Sequence, residues 1–292
     1  MTPETETVLL ALAAAFLTAS TNVVCSRALA RMGSFALAQV TNLGNVTLLG
    51  AYGLWGFDSG RLRWEALAWF AALGVLNFSI NRWVFYTGMS AMGPSRHIAV
   101  MGLAPLPSLA LAMALLGERP GGLVLLGTVL IVAGVVAVSY ERAQGRWVRA
   151  GIGWSLTSVL FLAASAYMRN RGMNVMREPA LLTAWAALVA IPTGELLRPL
   201  LPRRYFAWGP IGALAPVLLL SMVLNCVQQV LINQSIQGKL SLAVPIMSAS
   251  PVFVLVLSAA FLRDLERLNA RVVAGVLLAV AGMAAIGAGR HG

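Results

Sequence analysis

Ten apolar runs, each about 20 residues and so long enough to cross roughly 30 Å of hydrocarbon, fall into two sets of five, and five is odd. They lie near 7–29, 35–56, 66–90, 96–116, 122–140, 150–170, 179–200, 209–234, 240–262 and 269–288. Similar stretches stand near the start of each set: Phe16-Leu17-Thr18-Ala19-Ser20 and Phe161-Leu162-Ala163-Ala164-Ser165, offset by 145. A better match closes them. Gly127-Thr128-Val129-Leu130-Ile131-Val132-Ala133-Gly134 pairs with Gly275-Val276-Leu277-Leu278-Ala279-Val280-Ala281-Gly282 at an offset of 148, and Glu118-Arg119 pairs with Glu266-Arg267 at the same offset. A duplicated unit with an odd number of crossings sits upside down relative to its copy. The expected fold is all-α and integral to the membrane, with ten transmembrane helices as two inverted five-helix repeats around a central cavity. Residues 1–145 form the first repeat and 146–292 the second.

Composition supports the membrane reading. Charged residues are 11% of the 292, against about 25% in a soluble domain, too few to coat a globule of this length. The net charge of +11 does not point to nucleic acid, because most arginines sit in short loops that anchor helices at the lipid surface. Lys239 is the only lysine, and alanine and glycine abound; that bias is associated with GC-rich bacterial genomes and hence with a bacterial inner membrane. Cys25 and Cys226 fall within spans as small apolar fillers, so neither a disulfide nor a metal site is expected. Met1 to Thr7 carries Glu4 and Glu6 and no base, unlike a secretory leader, so the first run is expected to stay as a membrane helix. With the amino terminus inside, eight basic residues fall on the cytoplasmic side and twelve opposite, which favours an outside amino terminus.

The third span carries Asn77, Asn81, Arg82, Trp83 and Tyr86. Asn77 and Asn81 share a helical face, and Arg82 has no acidic neighbour in the run. A charge at that depth costs at least about 2.5–3.5 kcal/mol on insertion scales, so Arg82 either faces a watery cavity or snorkels along its stem to the interface. In the eighth span Asn225, Gln229 and Asn233 recur every fourth residue beside Gln228, a stripe that lines a cavity or bonds neighbouring helices. Gln39, Asn42 and Asn45 on the second span are read as inter-helix bonds near the cavity, with Asn22 on the first span as a further polar group. Trp154 and Tyr167 on the sixth span read as interfacial anchors. The fourth and ninth spans hold prolines: Pro105 and Pro107, then Pro245 and Pro251. Mid-helix proline kinks a rod and frees carbonyls, tolerated in a membrane where the backbone lines a cavity. Pro105, Pro245 and Pro251 are thus expected to gate, with Met101 and Ser248 beside them on the substrate path; the alternative is a packing kink. His97 reads as interfacial rather than as a proton relay. The fifth and tenth spans, with their glycines two turns apart, pack within the fold or between protomers.

Of the ten acidic residues only Glu195 falls within a span, so no midplane carboxylate awaits a cationic drug. No Ser–His–acid set, HExxH, CxxC or phosphate-binding glycine loop occurs, so no enzyme and no cofactor is expected. Inverted repeats characterise secondary transporters with a site at the midplane. The substrate-binding set expected here is Asn77, Asn81, Arg82, Trp83, Tyr86, Met101, Asn225, Gln228, Gln229 and Ser248, with Arg82 drawing a carboxylate or phosphate.

Two five-helix halves, the Leu116-Gly117-Glu118 end to the fourth span thirteen residues after Pro105, and the glycine-rich fifth span resemble the drug/metabolite transporter superfamily, and within it the EamA-type ten-helix permeases. In the second half the pattern departs: Pro251 plus thirteen reaches Asp264, while alignment from the tenth span reaches Glu266. The resemblance implies a central cavity lined by spans 1, 3, 4, 6, 8 and 9, alternating access, cytoplasmic termini, and export of small metabolites, aromatic or other amino acids first. An exchanger of phosphorylated or nucleotide-linked metabolites is the alternative and needs two or more convergent bases. A non-transporting scaffold or receptor subunit is the alternative of another class and needs a dry interior. The expected partners are a small-molecule substrate and the lipid bilayer, with no nucleic acid, the chain acting as monomer or homodimer.

Overall fold

Lipid offers no hydrogen bonds to backbone N–H and C=O groups, so a spanning chain satisfies them within helices. The computed structural model describes residues 3–55, 57–92, 97, 100–139, 146–237, 240–250, 252–253, 257 and 270–289, and no strand occurs among them. The helices are α1 (Pro3–Leu29), α2 (Ser34–Gly44), α3 (Gly50–Leu54), α4 (Trp64–Leu73), α5 (Arg82–Met92), α6 (Pro105–Leu115), α7 (Gly122–Ser139), α8 (Arg146–Val175), α9 (Pro179–Leu197), α10 (Ile211–Ile236), α11 (Leu240–Met247) and α12 (Ala270–Ala288). Four of them contain apolar stretches long enough to cross a bilayer: Thr5–Leu29, Gly151–Val175, Pro179–Leu197 and Ile211–Ile236. Two more runs are continuous but change their winding partway. A π-helical segment, Asn45–Leu49, joins α2 to α3, and another, Gly74–Asn81, joins α4 to α5.

The expected fourth and ninth spans are not continuous helices. Met101 is helical, Gly102 to Ala104 form a turn, and helix resumes at Pro105. Pro105 therefore opens α6 rather than kinking a rod, which corrects the expectation of a mid-helix proline. The cause is the missing N–H. Pro105 cannot donate to the Met101 carbonyl, and the Ala104 N–H takes it instead at 3.0 Å, a tighter i→i−3 turn. A first-turn proline costs nothing there, since that N–H has no helical acceptor. The second half breaks at a similar place, where α11 ends in a turn at Ser248 and Ala249 and the Ala249 N–H bonds the Ile246 carbonyl at 3.1 Å. Pro245 does lie inside its helix, buried in α11. Pro251 lies outside the described residues.

Helices of the first half meet helices of the second in antiparallel pairs. Along α1 and α10, Gln228 bonds Thr18, while Leu214 clusters with Cys25 and Ala28. Along the α4–α5 run and α8, Trp83 meets Trp154, Asn81 meets Ser158 and Trp69 meets Tyr167. Gly53 packs on Leu181 of α9 while Gln39 bonds Glu195. The glycines of α7 and α12 settle the packing role expected of them: a Cβ on Gly127 would stand 2.5 Å from the Gly282 carbonyl, and one on Gly134 would stand 2.5 Å from the Gly275 carbonyl. Those backbones meet inside one chain.

Loop contacts sort into two ends. At one, Arg61 pairs with Glu178 at 3.5 Å, and Glu118 accepts the Leu240 and Ser241 N–H groups at 2.9 Å each. At the other, the Gly33 N–H bonds the Ala207 carbonyl at 2.7 Å, and Gly33 sits too close to the Tyr205 carbonyl for any side chain. Leu160, Leu219 and Leu277 stay more than 60% exposed, as suits faces whose solvent is lipid.

The glycine contact gives a test. Gly127→Leu forces α7 off α12 and destabilises the protein by about 1–3 kcal/mol, the range for overpacking, whereas Gly212→Ala, with nothing within 4 Å, is neutral. Thermal unfolding of the detergent-solubilised protein reads both.

Candidate functional site

The polar residues of the spans converge on one cavity of about 190 Å³, room for about six water molecules at roughly 30 Å³ each. Its wall draws on α1 (Thr18, Thr21, Asn22), the α4–α5 run (Asn77, Asn81, Arg82, Phe85, Tyr86), the two helix breaks (Met101, Gly102, Met247, Ser248, Ser250), α8 (Leu162, Ser165, Ala166, Arg169) and α10 (Asn225, Gln228, Gln229, Ile232, Ile236), with Val244 from α11. Of the ten expected binding residues, nine stand on this wall. Trp83 does not. The wall residues 77, 81, 82, 85 and 86 share one face of the run, and Trp83 points off it to make edge contacts with Trp154 at 5.3 Å and Tyr205 at 5.7 Å. Trp83 and Trp154 are thus held by other aromatics at the end where Gly33 meets Tyr205.

Arg82 does not snorkel. It is 7% exposed, and its Nη1 donates to Thr41 Oγ1 and Asn42 Oδ1, both at 2.9 Å. Asn42 is oriented in turn by donating to the Phe78 carbonyl at 3.0 Å. A second arginine joins it. Arg169, 4% exposed, donates to Gln229 Oε1 at 2.7 Å and to Asn233 Oδ1, while Asn233 donates to Thr183 Oγ1 at 2.7 Å. Both guanidinium carbons lie near one ring, 4.7 Å and 5.3 Å from the Phe78 centroid, where the π face favours cations. Neither makes an ion pair with a carboxylate among the described residues. Arginine keeps its proton in proteins, so two positive charges share the cavity.

Sequence reasoning missed Arg169 because the sixth apolar run ends near 170. Helix α8 continues to Val175, carried past the apolar stretch by polar contacts: Asn174 donates to Asn170 Oδ1 at 3.2 Å and Asn170 to the Ile236 carbonyl at 2.8 Å. The signal was the lack of any proline between Arg169 and Pro179. Thr18 and Ser165 were legible in the matched stretches that open each half, and both stand on the wall. The amides divide their work: Asn225, Gln228 and Gln229 face the cavity, while Asn42 and Asn233 hold the arginines. Gln39 instead bonds the Ile191 carbonyl and Glu195, both at 3.1 Å, and Asn45 accepts from Cys226 at 3.4 Å. His97 is fully buried, with Nδ1 2.8 Å from Ser155 Oγ.

Three wall atoms have no partner among the described residues: Thr21 Oγ1, Asn225 Oδ1 and Gln228 Oε1. The Gln228 orientation is fixed by its neighbours. Thr18 gives its hydroxyl hydrogen to the Ala14 carbonyl at 2.7 Å, so it accepts from Gln228 Nε2 at 3.0 Å, and Oε1 is left without a partner among the described residues. The wall thus carries donors at the arginines and, on α1 and α10, three acceptor oxygens without a partner among the described residues.

The sequence pattern of the EamA-like transporter family matches residues 5–140 and again 149–288. The chain belongs to the EamA-like transporter family. It is accordingly a multi-pass membrane protein of the drug/metabolite transporter superfamily, whose members transport small molecules and are not enzymes. A solved structure titled "Crystal structure of protein" superposes with a TM-score of 0.76 at 17% identity, covering 96% of this chain and 98% of that one, which speaks for the fold alone. No curated protein matches in sequence.

Removing one arginine anchor leaves a buried charge short of a partner, worth about 1.5–3 kcal/mol for a bond to a charged group. Asn42→Leu and Asn233→Leu each lower the thermal midpoint accordingly. The double variant Asn42→Leu/Arg82→Met recovers most of the loss, because removing both partners strands neither.

Proposed function

We propose that the protein is a secondary transporter that exports small metabolites bearing a carboxylate, amino acids first, across a bacterial inner membrane. In this reading two inverted five-helix repeats, residues 1–145 and 146–292, alternate access to one shared site. The observation that carries it is the pair Arg82 and Arg169, one from each half, buried in a single cavity without an acidic partner among the described residues. A buried charge left without a counter-charge is costly, and an acidic group on the substrate supplies one. The free acceptors at Asn225, Gln228 and Thr21 suit an ammonium group, while Phe85, Met101, Leu162 and Ile236 give apolar surface. That surface accommodates a side chain.

The pairing of helices supports the inverted repeat. Exchanging the halves carries the α1/α10 pair onto the α8/α4–α5 pair, and returns the α7/α12 pair to itself. The two helix breaks, at Gly102–Ala104 and Ser248–Ala249, meet the cavity from opposite halves. Broken helices at a site between repeats are the arrangement through which transporters bind and rock. Pro105 and Pro245 flank those breaks and act as their gating residues, with Pro251 as the third. One chain supplies the whole wall, so a monomer suffices as the working unit.

A second reading, a small phosphorylated metabolite, gains from the second arginine, since two convergent bases suit a phosphate. A cavity of about 190 Å³ is small for a nucleotide-linked sugar. A cavity lined by two arginines and several amides also weighs against a scaffold, for which a dry interior is expected.

In proteoliposomes loaded with a panel of labelled amino acids, wild-type protein gives flux, while Arg82→Ala and Arg169→Ala each lose at least about tenfold, as expected for one charged hydrogen bond. Trp83→Phe, off the wall, stays within about twofold. Unchanged flux in both arginine variants removes the pair from the mechanism, and competition by small phosphate esters identifies the second reading.

A further inference from the structure

The cavity carries more positive charge than a zwitterion can neutralise. Among the described residues Arg82 spends only Nη1 on partners, leaving Nε and Nη2, and Arg169 spends Nη1 and Nη2, leaving Nε. Both line the wall beside the same Phe78 ring, so their open edges lie within reach of one small molecule. A neutral amino acid brings one carboxylate and leaves the other guanidinium facing only dipoles. The same wall holds three side chains, each more than nine-tenths buried, with an oxygen unpartnered among the described residues: Thr21 at 3% exposure, Asn225 at 4% and Gln228 at 9%. Those oxygens accept hydrogen bonds and suit an ammonium group, which has three hydrogens and no lone pair. No Asp, Glu or His lies on the described wall, so this pattern of charge is built into the cavity and does not titrate away.

We propose that the substrate is an acidic amino acid, with two carboxylates and one ammonium group, net charge −1. The inference rests on the amino-acid reading above and narrows it. One carboxylate takes the free edge of Arg82 and the other that of Arg169; the ammonium group takes Asn225 Oδ1, Gln228 Oε1 and Thr21 Oγ1. Its short polar side chain fits a cavity of this size, whereas a large aromatic side chain competes for the same space. Arg82 and Arg169 here determine specificity through charge count. Because the solute carries a net negative charge, its outward passage is favoured by an inside-negative potential without a proton-coupling group in the wall.

The test compares isosteres on the unaltered protein. By isothermal titration in detergent, L-glutamate binds at least about tenfold tighter than L-glutamine, which differs only in the second charge. Glutarate, lacking the amine, binds more weakly than glutamate. Arg169→Gln brings the glutamate-to-glutamine ratio to about one, while Arg169→Lys keeps a preference for glutamate because it keeps the charge. Glutamine binding as tightly as glutamate in the wild type overturns the inference, as does a failure of glutamate to bind. The two levels separate in proteoliposomes: flux of L-leucine or L-phenylalanine without flux of glutamate fells the charge inference and leaves the transport reading standing. No flux of any of the four amino acids fells both.

Discussion

Two guanidinium groups held inside an apolar slab set the terms for everything around them. Each is an ion buried far from bulk water, and the protein answers with oriented neutral dipoles: Thr41 and Asn42 for one, Gln229 and Asn233 for the other, with the Phe78 face between. The supporting amides are themselves tied to backbone or hydroxyl partners, Asn42 to the Phe78 carbonyl and Asn233 to Thr183. Such neutral solvation keeps the charges available. A carboxylate in the same role would have quenched them and left a structural ion pair with nothing to offer a ligand.

Backbone winding serves the same end. The π-helical segment Gly74–Asn81 ends where Arg82 begins, and a wide turn of this kind re-registers the side chains that follow it. It puts Asn77, Asn81, Arg82, Phe85 and Tyr86 on one wall. Gly74 permits the path, because its Cα lies against the Ala186 carbonyl of α9 with no space for a side chain. The breaks in the fourth and ninth spans do with turns what the π segment does with a wide coil: they bring backbone and short side chains to the cavity that an unbroken helix would keep away.

Much of this was legible in the sequence, and the gaps have physical causes. Spacing alone placed Asn77 and Asn81 on one face, and the eighth-span amides Asn225, Gln229 and Asn233 on another, because helical periodicity survives in any environment. Trp83 was misjudged because a neighbour in sequence is about a quarter-turn away in space. Arg169 was lost because hydropathy marks where lipid contact ends, and α8 runs on past that point under cover of Asn170 and Asn174. The glycines at 127, 134, 275 and 282 were read as contact points, but only the fold tells which surface they contact. The prolines marked the breaks in the fourth and ninth spans to within a few residues; that helix would restart at Pro105, rather than bend there, depends on which N–H reaches the Met101 carbonyl first.

The Leu116-Gly117-Glu118 turn has a mechanical corollary. Gly117 takes a left-handed φ of 66°, which lets the Glu118 N–H close back on the Ala112 carbonyl at 3.2 Å while the carboxylate reaches the first two N–H groups of α11. The tail of α6 and the head of α11 are therefore pinned like two struts at a single rivet. Any swing that widens the mouth beside them must carry both struts together or draw the rivet, so the compliance of that region resides in the short turns at the struts' far ends.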